Sequence, residues 1–338
     1  MLHTETLYTL DDICIIPAAT SNVRHRAECS PYVEGENLPI FTAPMDSVLD
    51  ENNWEEFQKQ GITPIIPRTV DIDTRMRLAI HKQLWIAVGL NEFEKYFTCD
   101  SEYNLSTVPQ VKVLIDVANG NMTYIVRLIR EAKYYSKKLG VEFLIMAGNV
   151  ANPYTYQFLA HEGVWGVRVS VGSGACCITA SNTGVHYPMA SLINDCATLK
   201  RLNSLTTHII ADGGISNYAR AIKALALGAD YVMMGTAFVK AEESAAPSLI
   251  DISGKRIKKV YGMSTKEAQK KINPNAKLHT SEGIHKNVEV EYTLAQWVEN
   301  FKDYIRSTMS YCNVRTLSEL HDVDCGIMSP TAQAVINK

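Results

Sequence analysis

No apolar stretch in the chain approaches the ~18–20 uninterrupted residues of a membrane-spanning helix. The best candidate, residues 221–241, is broken by Lys223 and Asp230. There is no excess of one charge: 33 basic against 36 acidic side chains leave a net charge of −3, so no polybasic field marks a nucleic-acid partner. The N-terminal stretch, with Glu5, Asp11 and Asp12, lacks the basic and apolar regions of a signal peptide. Neither a Cys-x-x-Cys pair nor a His-Glu-x-x-His helix occurs, and no zinc site is expected. With 19 Gly and 12 Pro in 338 residues, the chain is neither collagenous nor of low complexity. These absences lead to the expectation of a soluble, globular, cytoplasmic protein with no membrane and no nucleic acid among its partners. The eight cysteines read as reduced thiols, because a chain this long builds its core without covalent staples.

What is present is a repeated alternation. Short apolar, β-rich runs lie at 38–45, 62–67, 84–90, 111–118, 143–150, 164–171, 208–214 and 231–237. Most gaps between them suit one helix and two short loops, the requirement for parallel crossovers. Residues 121–139 place Ile125, Leu128, Ile129 and Ala132 on one face, and 216–227 repeat that pattern from an expected Ser216 cap. Gly61, Gly140, Gly163 and Gly228 punctuate helix ends. Eight such units predict a (β/α)₈ TIM barrel as a single domain over 1–338, with a doubly wound open sheet as the competing arrangement. An N-terminal segment, 1–37, and a C-terminal region, 240–338, are expected to pack on the barrel. Of the latter, 240–292 reads as irregular and 294–309 as a helix.

Barrel chemistry sits on loops after the strands, and the longest gap, from 164 to 208, follows the sixth. There Gly172-Ser173-Gly174-Ala175-Cys176-Cys177 can turn sharply and expose amides around a thiol, which lowers its pKa and makes it a nucleophile. Equally, both cysteines could be small buried hydrophobes. Asp212-Gly213-Gly214 and Gly235-Thr236 end strands seven and eight, where barrels hold phosphate on loop amides; two tight turns are the plain alternative. Asp116 and Asn149 end strands four and five, as site residues or as helix caps.

Taken together, PMDSV (44–48), DVANGN (116–121), MAGNV (146–150), Gly-x-Gly-x-x-Cys-x-Thr (172–179), ADGGI (211–215) and YGMS (261–264) resemble the IMP dehydrogenase/GMP reductase family, in family order over nearly the whole chain. The resemblance implies a barrel, usually tetrameric, in which Cys177 attacks carbon 2 of a purine nucleotide to form a thioimidate. Thr179 and Glu282, in Thr-Ser-Glu-Gly (280–283), would handle protons. Asp212, Gly213, Gly214, Gly235 and Thr236 would hold ribose and phosphate, and Gly262, Met263, Ser264, Ser281 and Gly283 would complete the substrate site. Asp116, Val117 and Ala118 would meet the nicotinamide end of NADPH. Arg26, Ser307, Thr308 and Ser310 would reach a cofactor bound to a neighbouring subunit of a homotetramer. Carbonyls of Gly172, Gly174 and Cys177 would hold a potassium ion (K+).

The chain departs from the family at Ala175 (usually Ser), Ser170 (often Gly) and Ala180 (Arg). IIPRT (65–69) lacks the family's His-rich turn, leaving Arg68 as the basic residue there. The inserted CBS pair is absent after strand two. The resemblance points to a GMP reductase, because no arginine lies between Arg256 and Arg306 to serve the dehydrogenase flap and Thr183–Pro188 reads like the reductase. Cys177-Ile178-Thr179 and Pro44-Met45-Asp46 read more like a CBS-less IMP dehydrogenase, the alternative; Ala175 and Ala180 prompt a third reading, an inactive purine-nucleotide-binding protein.

Overall fold

The computed structural model describes residues 5–275 and 277–336. Its centre is a ring of eight parallel strands: β1 (Ile40–Thr42), β2 (Ile65–Ile66), β3 (Trp85–Val88), β4 (Gln110–Asp116), β5 (Glu142–Val150), β6 (Gly166–Val169), β7 (His208–Asp212) and β8 (Tyr231–Met234). Hydrogen bonding runs β1-β8-β7-β6-β5-β4-β3-β2, and a parallel bridge from Phe41 to Thr63 closes the last gap. All eight apolar runs thus become barrel strands, and the open sheet is excluded.

The two-residue period of a strand decides where each side chain goes. In β4, Leu114 points into the barrel with Phe41, Ile65, Met146, Ile210 and Met233, while Val113 and Ile115 face the surrounding helices. At the strand starts the interior is plugged by aromatic rings. Phe41 lies 5.9 Å from Trp85 and 5.0 Å from Tyr231, Trp85 lies 4.8 Å from Trp165, and Trp165 lies 4.5 Å from His208. The opposite end, where strands lead into long loops, is the mouth.

The four punctuating glycines all adopt positive φ. Gly228 shows why: at φ 104°, a Cβ there would stand 2.6 Å from Cβ of Ala197. The helix before it spans Tyr218–Ala226 and is capped by Asn217, whose side chain accepts from the Arg220 amide, so the expected Ser216 cap is one residue early. Ser216 instead accepts from the Arg220 guanidinium.

The expectation of an irregular 240–292 is overturned. Ser248–Ile250, Arg256–Tyr261 and His285–Glu289 form a three-stranded antiparallel sheet, with a helix at Lys266–Ile272 between the second and third strands. The two outer strands of this flap are largely exposed and the buried positions of the middle strand include the charged Lys258, so no apolar alternation betrays it. The expected late helix is present at Leu294–Tyr311, opened by a Thr293–Gln296 capping box. Near the termini, Ile13–Ile15 pairs antiparallel with Cys325–Ile327 and ties both tails to one side of the barrel. Among the described residues no helix is long and apolar enough to cross a membrane.

Candidate active site at the barrel mouth

Beneath the mouth, four strand ends share one buried charge network. Arg168 of β6 is 5% exposed; it donates to Asp116 of β4 at 2.8 Å and to the Asn149 side-chain oxygen of β5, and its Nε lies 3.4 Å from the Asp212 carboxylate of β7. Asn149 in turn donates to Asp212 at 2.7 Å. A buried guanidinium is tolerable only with partners, and two carboxylates and an amide surround it. Sequence reasoning missed Arg168, although an arginine inside the run VWGVRVSV was the available signal. Arg68 leaves β2 toward the same point and donates to the Asp116 carbonyl at 3.3 Å.

Above this network the loop after β6 turns through Gly172, at φ 76°, where a Cβ would stand 2.6 Å from Cβ of Ala180. The Cys177 amide donates to the Gly174 carbonyl at 2.9 Å. The loop then zips against the flap: Cys177 bridges Gly283, the Ile178 amide donates to the Glu282 carbonyl at 2.9 Å, and the Ile284 amide donates to the Cys176 carbonyl at 2.9 Å. That pairing aligns three side chains. The Cys177 thiol donates to the Thr179 hydroxyl at 3.2 Å, and that hydroxyl donates to the Glu282 carboxylate at 2.7 Å. A thiol, a hydroxyl relay and a carboxylate in line can generate a thiolate and hold its proton. Cys176, by contrast, is buried, and burial pushes its thiol pKa up.

The remaining expected substrate residues surround this line. Backbone positions where a Cβ would lie 3.1 Å from the Gly174 nitrogen and 3.2 Å from the Ser173 carbonyl belong to Gly213 and Gly214, so the loops after β6 and β7 touch where only glycine fits easily. Gly235 packs on Met45, and Thr236 opens the short helix Thr236–Val239. From the flap, Gly262 and Gly283 press on the Cys176 carbonyl, with Met263 and Ser264 following. Ser281 turns back on its own loop, donating to the Gly283 carbonyl at 2.7 Å.

Not all the named residues meet here. Val117 is bonded through its backbone to Gly148 and Asn149 at the mouth, with Ala118 next to it. Arg26 instead pairs with Asp303 at 2.9 Å, and the Ser310 carbonyl accepts from Ser21. Ser307 and Thr308 line a cleft of about 750 Å³ with Tyr218, Tyr304 and Tyr311, and no mouth residue contributes to it.

A closed parallel barrel with a thiol, a hydroxyl and a carboxylate in line at its mouth, beside glycine-walled loops after strands six and seven, has the architecture of a barrel enzyme. The chain belongs to the IMP dehydrogenase/GMP reductase family, whose domain profile matches residues 7–337. It is 29% identical to a GMP reductase of Chromobacterium violaceum over 331 residues, covering 96% of this chain and 98% of that protein. Similarity to a GMP reductase of Shouchella clausii is 30% over 334 residues, 95% of each chain. The human GMP reductase 2 is 35% identical over 236 residues, 69% of this chain and 64% of the human one.

Proposed function

We propose that the chain is an NADPH-dependent GMP reductase, converting GMP to IMP and ammonia. The observation that carries this reading is the line Cys177–Thr179–Glu282. The Cys177 thiolate adds to carbon 2 of the guanine, and the bond from that carbon to the exocyclic amine breaks. Glu282, through the Thr179 hydroxyl, returns a proton to the departing ammonia, leaving a thioimidate. The reduced nicotinamide, when bound, would supply a hydride (two electrons and the hydrogen) to carbon 2; the carbon–sulfur bond then breaks and Cys177 leaves as thiolate. Asp212, Gly213, Gly214, Gly235 and Thr236 bind ribose and phosphate. Gly262, Met263, Ser264, Ser281 and Gly283 wall the base.

Asp116, Val117 and Ala118 receive the nicotinamide end. Arg26, Ser307, Thr308 and Ser310 serve the other end from a neighbouring subunit of a homotetramer, a reading supported by the separate cleft in which Ser307 and Thr308 lie. The Gly172 and Cys177 carbonyls accept no hydrogen bond among the described residues, which supports their holding a potassium ion together with the Gly174 carbonyl, itself an acceptor from the Cys177 amide. All eight cysteines are free thiols, in keeping with a reducing cytoplasm.

Purified protein mixed with GMP and NADPH, and separately with IMP and NAD, tests the reading. NADPH oxidation that requires GMP and yields IMP plus ammonia is expected. Efficient formation of XMP from IMP and NAD would make it a dehydrogenase, and nucleotide binding without turnover in either mixture would make it a binding protein.

A further inference from the structure

The flap strand Arg256–Tyr261 buries a charge that the reaction does not use. Lys258 is 1% exposed. Its ammonium donates to the carbonyls of Ala241 and Glu242 at 2.9 Å each, to the Ser244 carbonyl at 3.1 Å and to the Ser244 hydroxyl at 2.8 Å. Among the described residues no carboxylate touches it; four neutral oxygens from one loop surround it, much as they would a small monovalent cation. A neutral amine would turn a lone pair on those oxygens, and the Ser244 hydroxyl already donates to the Val239 carbonyl at 3.0 Å, so the cage favours the ammonium. Burial lowers its pKa, while Glu243 and Glu242 oppose that shift from further out.

The cage loop is itself fastened to the barrel. Amides of Ala245 and Ala246 donate to the Val48 and Ser47 carbonyls at 3.1 and 3.2 Å. Those residues follow Asp46, and Asp46 accepts from the Tyr261 hydroxyl and, at 2.8 Å, from Lys271 of the flap helix. Lys271 also donates to the Tyr261 oxygen at 2.6 Å. The circuit is closed: the loop after β1 holds the cage loop, the cage holds Lys258, and three residues on Tyr261 returns to the loop after β1. Gly262, Met263 and Ser264 hang directly from that second fastening.

We propose that Lys258 is a positioning residue, an internal cation that sets the height of the flap strand so that the 262–264 wall and the 282–284 arm close over Cys177. This rests on the reading of 262–264 as the wall of the purine site. Lys258→Met keeps the apolar stem and removes the cation. The KM for GMP is expected to rise about tenfold or more, with a smaller change in kcat. A second readout needs no substrate: alkylation of Cys177 by iodoacetamide, followed by peptide mass spectrometry, should quicken at least about threefold as the flap lifts from residues 176–178. Lys258→Ala leaves an oxygen-lined hole, and methylammonium chloride should return both readouts toward wild type where sodium chloride at equal ionic strength does not.

Readouts within twofold of wild type in Lys258→Met, or a loss in folded Lys258→Ala that methylammonium leaves untouched, would overturn the proposal. Should neither variant fold, Tyr261→Phe cuts the second fastening by one hydroxyl, and unchanged alkylation there would overturn it equally. Wild-type protein inert toward GMP and NADPH would sink the reductase reading while leaving the alkylation result to judge the clamp.

Discussion

Thr179 and Glu282 are 103 positions apart in the chain, yet their side-chain oxygens meet at 2.7 Å. The contact exists because the loop after β6 and the end of the flap pair as antiparallel strands, with the Ile178 amide on the Glu282 carbonyl. On the proposed reading, the hydroxyl held between thiol and carboxylate passes a proton. Glu282→Gln should therefore lower kcat at least ~10²-fold, the lower end for acid–base groups, with a smaller effect on KM. Thr179→Val should fall in the same range, and the double variant should lose little more, because two links of one relay are not additive. Steady-state kinetics of the three proteins decide it; an unchanged kcat in Glu282→Gln would remove that residue from the chemistry.

The adjacent cysteines should behave oppositely. Cys177 is half-buried and hydrogen-bonded to Thr179, whereas Cys176 is 4% exposed with its thiol pKa raised by burial. Cys177→Ala is expected to lose turnover by roughly a thousandfold or more while still binding GMP. Cys176→Ala should keep most activity and lose some thermal stability, as a small core side chain does. Intact mass measurement of trapped adducts locates the bond, and turnover surviving in Cys177→Ala would reassign the nucleophile.

At the closed end of the barrel, Asp230 sets a pH dependence of stability. Burial alone would raise its pKa; the His208 ring 3.6 Å away, the Lys200 ammonium at 2.7 Å and the Ile209 amide at 2.7 Å together bring it down to about 2. A folded-state pKa below the unfolded value means stability that is fully present above about pH 4 and is lost as pH falls toward 2. The effect is on the order of 2 kcal/mol. Asp230→Asn should be clearly less stable than wild type in urea at pH 7, with the gap narrowing as pH drops from 5 to 2.5. A gap that stays constant over that range would mean that the carboxylate's charge contributes nothing.

The barrel was legible because each strand is buried on both faces, so that runs such as VKVLIDVA and HIIADGG stand out as nearly unbroken apolar segments. Most runs overshoot their strands by a few residues, since the flanking apolar positions belong to turns and loop packing; β2 keeps only Ile65–Ile66 of the run 62–67, whereas β5 fills all of 143–150. The flap was hidden for the opposite reason. RIKKVY and HKNVE carry charges on alternate and adjacent positions, and their pairing is dictated by backbone hydrogen bonds, not by a shared apolar face. Nor could composition tell that Arg168 and Lys258 are buried cations, the first ringed by carboxylates and an amide and the second by four neutral oxygens. Arg168 finds its carboxylates more than forty positions away and Lys258 its oxygens in the loop that precedes the flap, placements that only the fold fixes.

The aromatic plug at the strand starts makes the barrel a cul-de-sac. Phe41, Trp85, Trp165, Tyr231 and His208 pack against one another across that end, so on the proposed reading reactants and products share the mouth beneath the flap. Ammonia has to depart past the nucleotide that released it, and the reductant has to arrive by the road on which the product will leave. Traffic through a single door is sorted in time and not in space. On that reading, the order in which molecules come and go is set at the mouth, where the flap pairs with residues 176–178.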